Sequence, residues 1–313
     1  MKQFGRGCFK RVKEPIKKGK MNNKITLVEC PRDAMQGWSA PISTVVKVSY
    51  IQQLLSVGFD VLDCVSFVSP KAIPQMADSA AVLQQLDLSD TSTKLLAIVA
   101  NTRGAEMARE FDSLYYIGYP FSISETFQQF NTNSSIGESW ERLQQIQEIT
   151  VSAGKQMVVY FSMGFGNPYG DLFDADVIAE WAEKMQNIGI GTISLADTAG
   201  VASPESVRSI TADTIRNFPG LEVGVHLHST TDGLPDKLDA ALDAGCLRID
   251  GAMKGVGGCP MAQNALVGNM DTESIVGMLK SRLYSLHIDP DALQKASFMA
   301  TQIFNDTPHA IQA

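Results

Sequence analysis

The chain has 313 residues, 44% of them hydrophobic and 19% charged, which is enough apolar material for one large globular domain. A formal net charge of −8 argues against nucleic acid as a partner, and no apolar run has the length of a membrane span. The five cysteines are odd in number and scattered, which argues against a disulfide framework and for a reducing, cytoplasmic setting.

Residues 1–23 stand apart. Lys and Arg recur there against a single acid, Glu14, and no apolar stretch makes the segment a secretory signal. It reads as a disordered basic tail, or as an upstream extension of a chain that starts at Met21. A presequence for the mitochondrial matrix is the alternative, and Glu14-Pro15 fits one poorly. Residues 24–313 are read as one domain.

From Lys24 onward short apolar runs alternate with amphipathic stretches. Strands are predicted at ITLVEC from Ile25, VLDCVSF from Val61, LLAIVA from Leu95 and LYYIGY from Leu114. Four more are predicted at MVVYFSM from Met157, TISLAD from Thr192, EVGVHLH from Glu222 and LRIDGAM from Leu247. Helices are predicted at 44–57, 70–86, 103–111, 135–153, 174–187, 203–217 and 231–244. Ser203-Pro204-Glu205 is a start signal, a capping residue before a first-turn proline. Eight strands each followed by a helix describe an α/β chain of the (β/α)8 TIM-barrel class. A doubly wound sheet would need a glycine-rich phosphate loop after its first strand, and Pro31-Arg32-Asp33 stands there instead. Helices at 271–281 and 289–304 form a C-terminal extension that packs on the barrel or on a partner.

A barrel collects its chemistry at the C-terminal ends of its strands. Those positions hold Arg32, Asp33 and Gln36, then Asp63, then Asp197 and Thr198, then His226 and His228, then GVGGCPMA from Gly255, with Asn269 shortly after. In VGVHLHS the strand period of two points both histidines the same way. They are half of a metal site or a hydrogen-bonded pair. Asp33 and Asn269 would add a carboxylate and an amide oxygen; read singly, they are a turn aspartate and a loop amide. Together the four are a mixed O/N set without thiolate, which suits Mg²⁺ or Mn²⁺ better than zinc.

The segments VECPRDAMQ (28–36), SFVSPKAIPQMADS (66–79), SLADTAGVASPE (194–205), GVHLHS (224–229) and GVGGCPMAQNALVGN (255–269) resemble the 3-hydroxy-3-methylglutaryl-CoA lyase family, in the family's order. The SFVSP and GxGGCP motifs are specific; HxH and Arg-Asp are shared by a wider superfamily of synthases and carboxyltransferases. The resemblance implies a TIM barrel and a divalent ion held by Asp33, His226, His228 and Asn269. It also implies an acyl-CoA substrate and a homodimer. It further implies Arg32 at the enolate oxygen, Cys259 in proton transfer, Asp63 and His226 among the catalytic residues, and Asp197 orienting a ligand or the arginine. Gln36, Lys71 and Ser229 are candidate substrate contacts, Lys71 for a phosphate. Several positions depart from the family: Asp63 replaces glutamate, Ser229 aspartate, Val158 an arginine that binds the acyl group, Ala34-Met35 Gly-Leu, and Asn167 a cysteine. These departures leave open a related lyase, aldolase or synthase acting on a different hydroxyacyl-CoA or oxo-acid. A non-catalytic barrel is the third reading, and the retained ligands and Arg32 argue against it.

Overall fold

A computed structural model describes residues 24–258 and 267–304. Eight strands run β1 (Thr26–Glu29), β2 (Val61–Phe67), β3 (Lys94–Val99), β4 (Leu114–Ser122), β5 (Gln156–Ser162), β6 (Thr192–Ala196), β7 (Glu222–His226) and β8 (Arg248–Gly251). All are parallel, each pairs with the next in sequence, and β8 returns to β1 to close a barrel. The expected (β/α)8 architecture is the one found.

Period two sorts the strand residues onto two faces. Leu95, Ala97, Ile117, Val159, Phe161, Ile193, Val225 and Ile249 belong to the large core under the helices. Their neighbours Val28, Leu96, Ile98, Tyr116, Val158 and Tyr160 form a smaller cluster that fills the barrel interior. Val158 is thus fully buried among apolar side chains. In β2 the register shifts between Asp63 and Val65, a bulge beside a residue of the candidate site.

The major helices are α2 (Thr44–Leu55), α4 (Thr102–Arg109), α6 (Ile136–Ser152), α7 (Ala175–Asn187), α8 (Pro204–Asn217) and α9 (Leu234–Asp243). Most begin where a polar side chain accepts from an early backbone N–H: Ser43, Asn101, Asp174, and Ser135 and Ser203 in reciprocal boxes. The helix predicted at 70–86 is not continuous. Pro70 and Pro74 break it, leaving a single turn at Pro74–Met76 and a short α3 (Ser79–Leu83). Lys47 ties that segment down through Gln75 O and Asp78. Two short helices were not predicted, α1 (Pro31–Gln36) and α5 (Glu125–Thr132). Both are too brief to show a helical period. The extension forms α10 (Thr272–Ser281) and α11 (Pro290–Ile303). α11 lies on the barrel's outside against α2: Gln53 donates to Ala292 O at 3.1 Å, and Phe304 sets its edge on Trp38. The tail at 1–23 falls outside the described residues.

Candidate active site

The site begins with a proline. Cys30 N–H bonds Gly251 O, closing β1 onto β8, and Pro31 at the first position of α1 sets Arg32 and Asp33 in that helix's first turn. Both side chains are buried. Arg32 grips Asp63 with a two-pronged contact, Nε to Oδ1 at 3.1 Å and Nη2 to Oδ2 at 2.5 Å, and Nη1 reaches Asp33 Oδ1 at 3.1 Å. A guanidinium has five N–H groups, so two remain for an incoming oxygen. Burial disfavours the charge, but Asp63 and Asp33 outweigh it and hold Arg32 firmly protonated. Asp63 is pushed up by burial, partly offset by Arg32. It is a partner of Arg32 rather than a free carboxylate.

Asp33 is the hub. Gln36 Nε2 donates to Oδ1 at 2.8 Å and Asn269 Nδ2 to Oδ2 at 2.7 Å. Burial raises its carboxyl, but Arg32, His226, His228 and Asn269 prevail and hold it at about 2. His226 ends β7 and His228 follows two residues on, with ring centroids 5.4 Å apart. The expected same-face pair is present. His226 Nδ1 faces Asp250 Oδ2 at 3.2 Å and His228 Nδ1 faces Val267 O at 2.8 Å. Each bond fixes the Nδ1–H tautomer and leaves Nε2 as the lone-pair nitrogen. Burial depresses the His228 imidazole. It also works against the charged form of His226, but the Asp250 bond outweighs it and raises that ring.

The donor set suits a hard divalent ion, and one orphan supports it. Asn269 spends Nδ2 on Asp33 and Val256 O, while its buried Oδ1 has no partner. Gly257 passes so close that a Cβ there would sit 2.5 Å from Asn269 Nδ2 and 3.0 Å from Asp33 Oδ2. Beside Asn269 opens a cavity of about 430 Å³ lined by Ser229, Thr230, Lys254 and Glu273 among others. Another, of about 320 Å³, lies at the opposite end around Lys94, Asp112 and Lys155, away from these side chains.

The remaining candidates fall in different places. Asp197 does not reach Arg32. Its Oδ2 accepts from Lys237 Nζ at 2.8 Å, and the same ammonium donates to His228 O at 2.7 Å. Asp197 therefore positions the second histidine through Lys237. Gln36 contacts Asp33, Ser229 Oγ donates to Thr230 O, and Lys71 is exposed on the loop after β2. Cys259 lies outside the described residues.

Lys237, Asp250 and Glu29 were not anticipated. Asp250 could have been found by period two along β8, since it shares the inward face with Ala252. Lys237 carries no sequence signal, because only the fold brings α9 under β7. Removing its charge by Lys237→Met strands the buried Asp197 carboxylate. The expected cost is about 3–5 kcal/mol of stability, read by denaturant unfolding with Asp197→Asn/Lys237→Met as the partial rescue.

Glu29 holds both feet of the segment that bears Asn269. Met253 N donates to Oε1 at 2.9 Å, and Thr272 Oγ1 to Oε2 at 2.5 Å. Burial raises its carboxyl from 4.5 to about 8, so the fold favours the neutral acid. That contribution is complete below pH 4.5 and lost as pH rises to about 8. Glu29→Gln, a permanent neutral mimic, should flatten this part of the Tm profile and raise Tm at pH 9 by roughly a few °C. An unaltered profile would contradict the assignment.

Comparison with known proteins gives the family of the chain. The HMGL-like family matches residues 24–299. The mitochondrial hydroxymethylglutaryl-CoA lyase of Gallus gallus is 34% identical over 286 residues, covering 90% of this chain and 93% of its own. The hydroxymethylglutaryl-CoA lyase YngG of Bacillus subtilis is 32% identical over 275 residues, covering 88% of this chain and 91% of its own. The crystal structure of the Bacillus subtilis HMG-CoA lyase superposes with a TM-score of 0.85 at 30% identity, over 90% of this chain and 94% of that one. An HMG-CoA lyase from Acinetobacter baumannii in complex with coenzyme A and 3-methylmalate gives 0.83 at 28% identity, covering 92% and 93%. With the barrel, the Arg32–Asp33 turn and the histidine pair already in place, the chain belongs to the HMGL-like family.

Proposed function

We propose that this chain is a divalent-metal-dependent carbon–carbon lyase that cleaves 3-hydroxy-3-methylglutaryl-CoA to acetoacetate and acetyl-CoA. The observation that carries the reading is the meeting of Arg32, Asp33, His226, His228 and Asn269 at one barrel mouth, in a chain whose relatives bear that activity.

Asp33, His226, His228 and Asn269 would hold the ion, Mg²⁺ or Mn²⁺. When bound, it would supply Lewis acidity for losing the proton of the substrate's 3-hydroxyl. Breaking the C2–C3 bond leaves a ketone and an enolate thioester. Arg32 presents its two uncommitted N–H groups to the enolate oxygen, held rigid by Asp63 and Asp33. Gln36 and Asn269 fix the Asp33 carboxylate, and Asp250 and Lys237 fix the two histidines from behind. Cys259 is assigned to return a proton to the enolate carbon. Cys259→Ala should lower kcat by about 10²–10⁴-fold while Mn²⁺ affinity stays within a factor of two. A matching loss of Mn²⁺ binding would contradict that role.

The CoA portion lies at the cavity beside Asn269, where Ser229 and Lys254 face it; Lys71 is a further candidate for a phosphate. The protein acts as a homodimer in the cytoplasm, and sedimentation and fractionation test those two statements. No described helix is long and apolar enough to cross a membrane.

Val158 favours a second reading of the acyl group, since the interior around it is apolar. Rates with hydroxymethylglutaryl-CoA and with a 3-hydroxyacyl-CoA lacking the terminal carboxylate separate the two. Preference for the first supports the proposed substrate. Turnover of the second alone would mean a different acyl chain on the same chemistry.

A further inference from the structure

Beneath the candidate active site, Cys30 Sγ, a ring nitrogen of His226 and a carboxylate oxygen of Asp250 lie within 4.8 Å of one another. They are the one such trio of His, Cys, Asp or Glu among the described residues. Cys30 and Asp250 are buried, and the His226 side chain is 11% exposed.

Two of the three have bonding capacity left over. Asp250 Oδ1 is a buried oxygen with no hydrogen-bond partner. The Cys30 thiol makes no hydrogen bond among the described residues. The other two described cysteines do: Cys64 donates to Leu96 O at 3.6 Å and Cys246 to Arg248 O at 3.2 Å. Three unlike donors, one sulfur, one nitrogen and one oxygen, face each other, with a hydrogen bond joining His226 Nδ1 and Asp250 Oδ2 at 3.2 Å. Zinc takes such mixed sets at about 2.0–2.3 Å, so tetrahedral ligand atoms sit roughly 3.3–3.8 Å apart, and His226 Nδ1 and Asp250 Oδ2 are already that close at 3.2 Å.

We propose that Cys30, His226 Nδ1 and Asp250 form a site for one thiophilic divalent ion of the zinc or cadmium type, which shares His226 with the oxygen-and-nitrogen set above it. A thiolate and a carboxylate neutralise the double charge, so a buried ion leaves no net charge uncompensated. Binding releases the thiol proton of Cys30 to solvent. The imidazole proton moves from Nδ1 to Nε2, and the carboxylate of Asp250 is unchanged in charge. With a proton on Nε2, His226 has no lone pair for the hard ion. A soft ion bound here therefore excludes Mg²⁺ or Mn²⁺ and stops turnover; that exclusion rests on the assignment of His226 to the catalytic ion, whereas the site itself does not.

The test is a Cd²⁺ titration of the full chain without added Mg²⁺, followed by the ultraviolet thiolate-to-cadmium charge-transfer absorption. The expected band saturates at one Cd²⁺ per chain with the amplitude of one thiolate. Cys30→Ser should weaken that binding at least about 100-fold. Cys8→Ser and Cys259→Ser should keep the band, and a far-ultraviolet circular dichroism spectrum and melting curve of Cys30→Ser matching the wild type show that its loss of binding is not a loss of fold. No band, or a band that Cys30→Ser retains, would overturn the site. Mn²⁺ binding by electron paramagnetic resonance supplies the second arm. One equivalent of Cd²⁺ should displace Mn²⁺ from the wild type and not from Cys30→Ser. Coexistence of the two ions on the wild type would overturn the exclusion. Absence of Mn²⁺ binding alongside an intact band would instead contradict the catalytic assignment of His226.

Discussion

Asp33→Ala should remove Mn²⁺ binding and lower turnover by on the order of 10³-fold or more, about 4 kcal/mol of barrier. Three hydrogen bonds converge on that carboxylate, Arg32 and Gln36 on one oxygen and Asn269 on the other, with the two imidazoles nearby. Its removal takes a charged ligand from the proposed ion and frees Asn269 to turn. Calorimetric titration with Mn²⁺ and a turnover assay on the same preparation check both halves. Asp33→Asn should share the loss, because the amide keeps the shape and loses the charge. Turnover close to wild type in either variant would refute the site.

Arg32→Lys should lower kcat by about 10²–10³-fold, roughly 2.7–4 kcal/mol, with Mn²⁺ affinity changed far less. A lysine keeps the positive charge but cannot hold both Asp63 oxygens and still face an enolate. Arg32→Met should cost more in another currency. It leaves Asp63 and Asp33 buried without their shared cation, which destabilises by about 3–5 kcal/mol. Unfolding of Arg32→Met, Asp63→Asn and the double variant forms a cycle. A coupling below about 0.5 kcal/mol would show that the pair acts independently, contrary to the geometry.

The barrel was legible in the sequence because eight apolar runs of strand length alternate with amphipathic stretches, and no glycine loop follows the first of them. The histidine pair was legible for the same reason: one strand residue between them forces a common face. What escaped was short or non-local. α1 has six residues and no room for a period, yet it sets the direction of Arg32 and Asp33. The stretch at 70–86 carries helical character, but its prolines decide the backbone locally and leave one turn and a short helix. Lys237 lies nine residues beyond His228, and nothing in that spacing says its ammonium folds back onto the histidine's carbonyl. Glu29 and Cys30 read as parts of a strand and its end. Burial makes one a neutral clamp and leaves the other facing Asp250 and His226. Asp197 shows the limit of reading a role from position: its place at the end of β6 was foreseen, its partner was not.

The most direct measurement is acetoacetate release from hydroxymethylglutaryl-CoA by the purified full chain, with Mn²⁺ or Mg²⁺ and a reductant, against a chelator. Release that needs the ion, returns with it and is accompanied by equimolar acetyl-CoA is the predicted result. Release undiminished by the chelator would contradict the ion set at Asp33, His226, His228 and Asn269. No release, from protein that binds Mn²⁺, would contradict the proposed substrate.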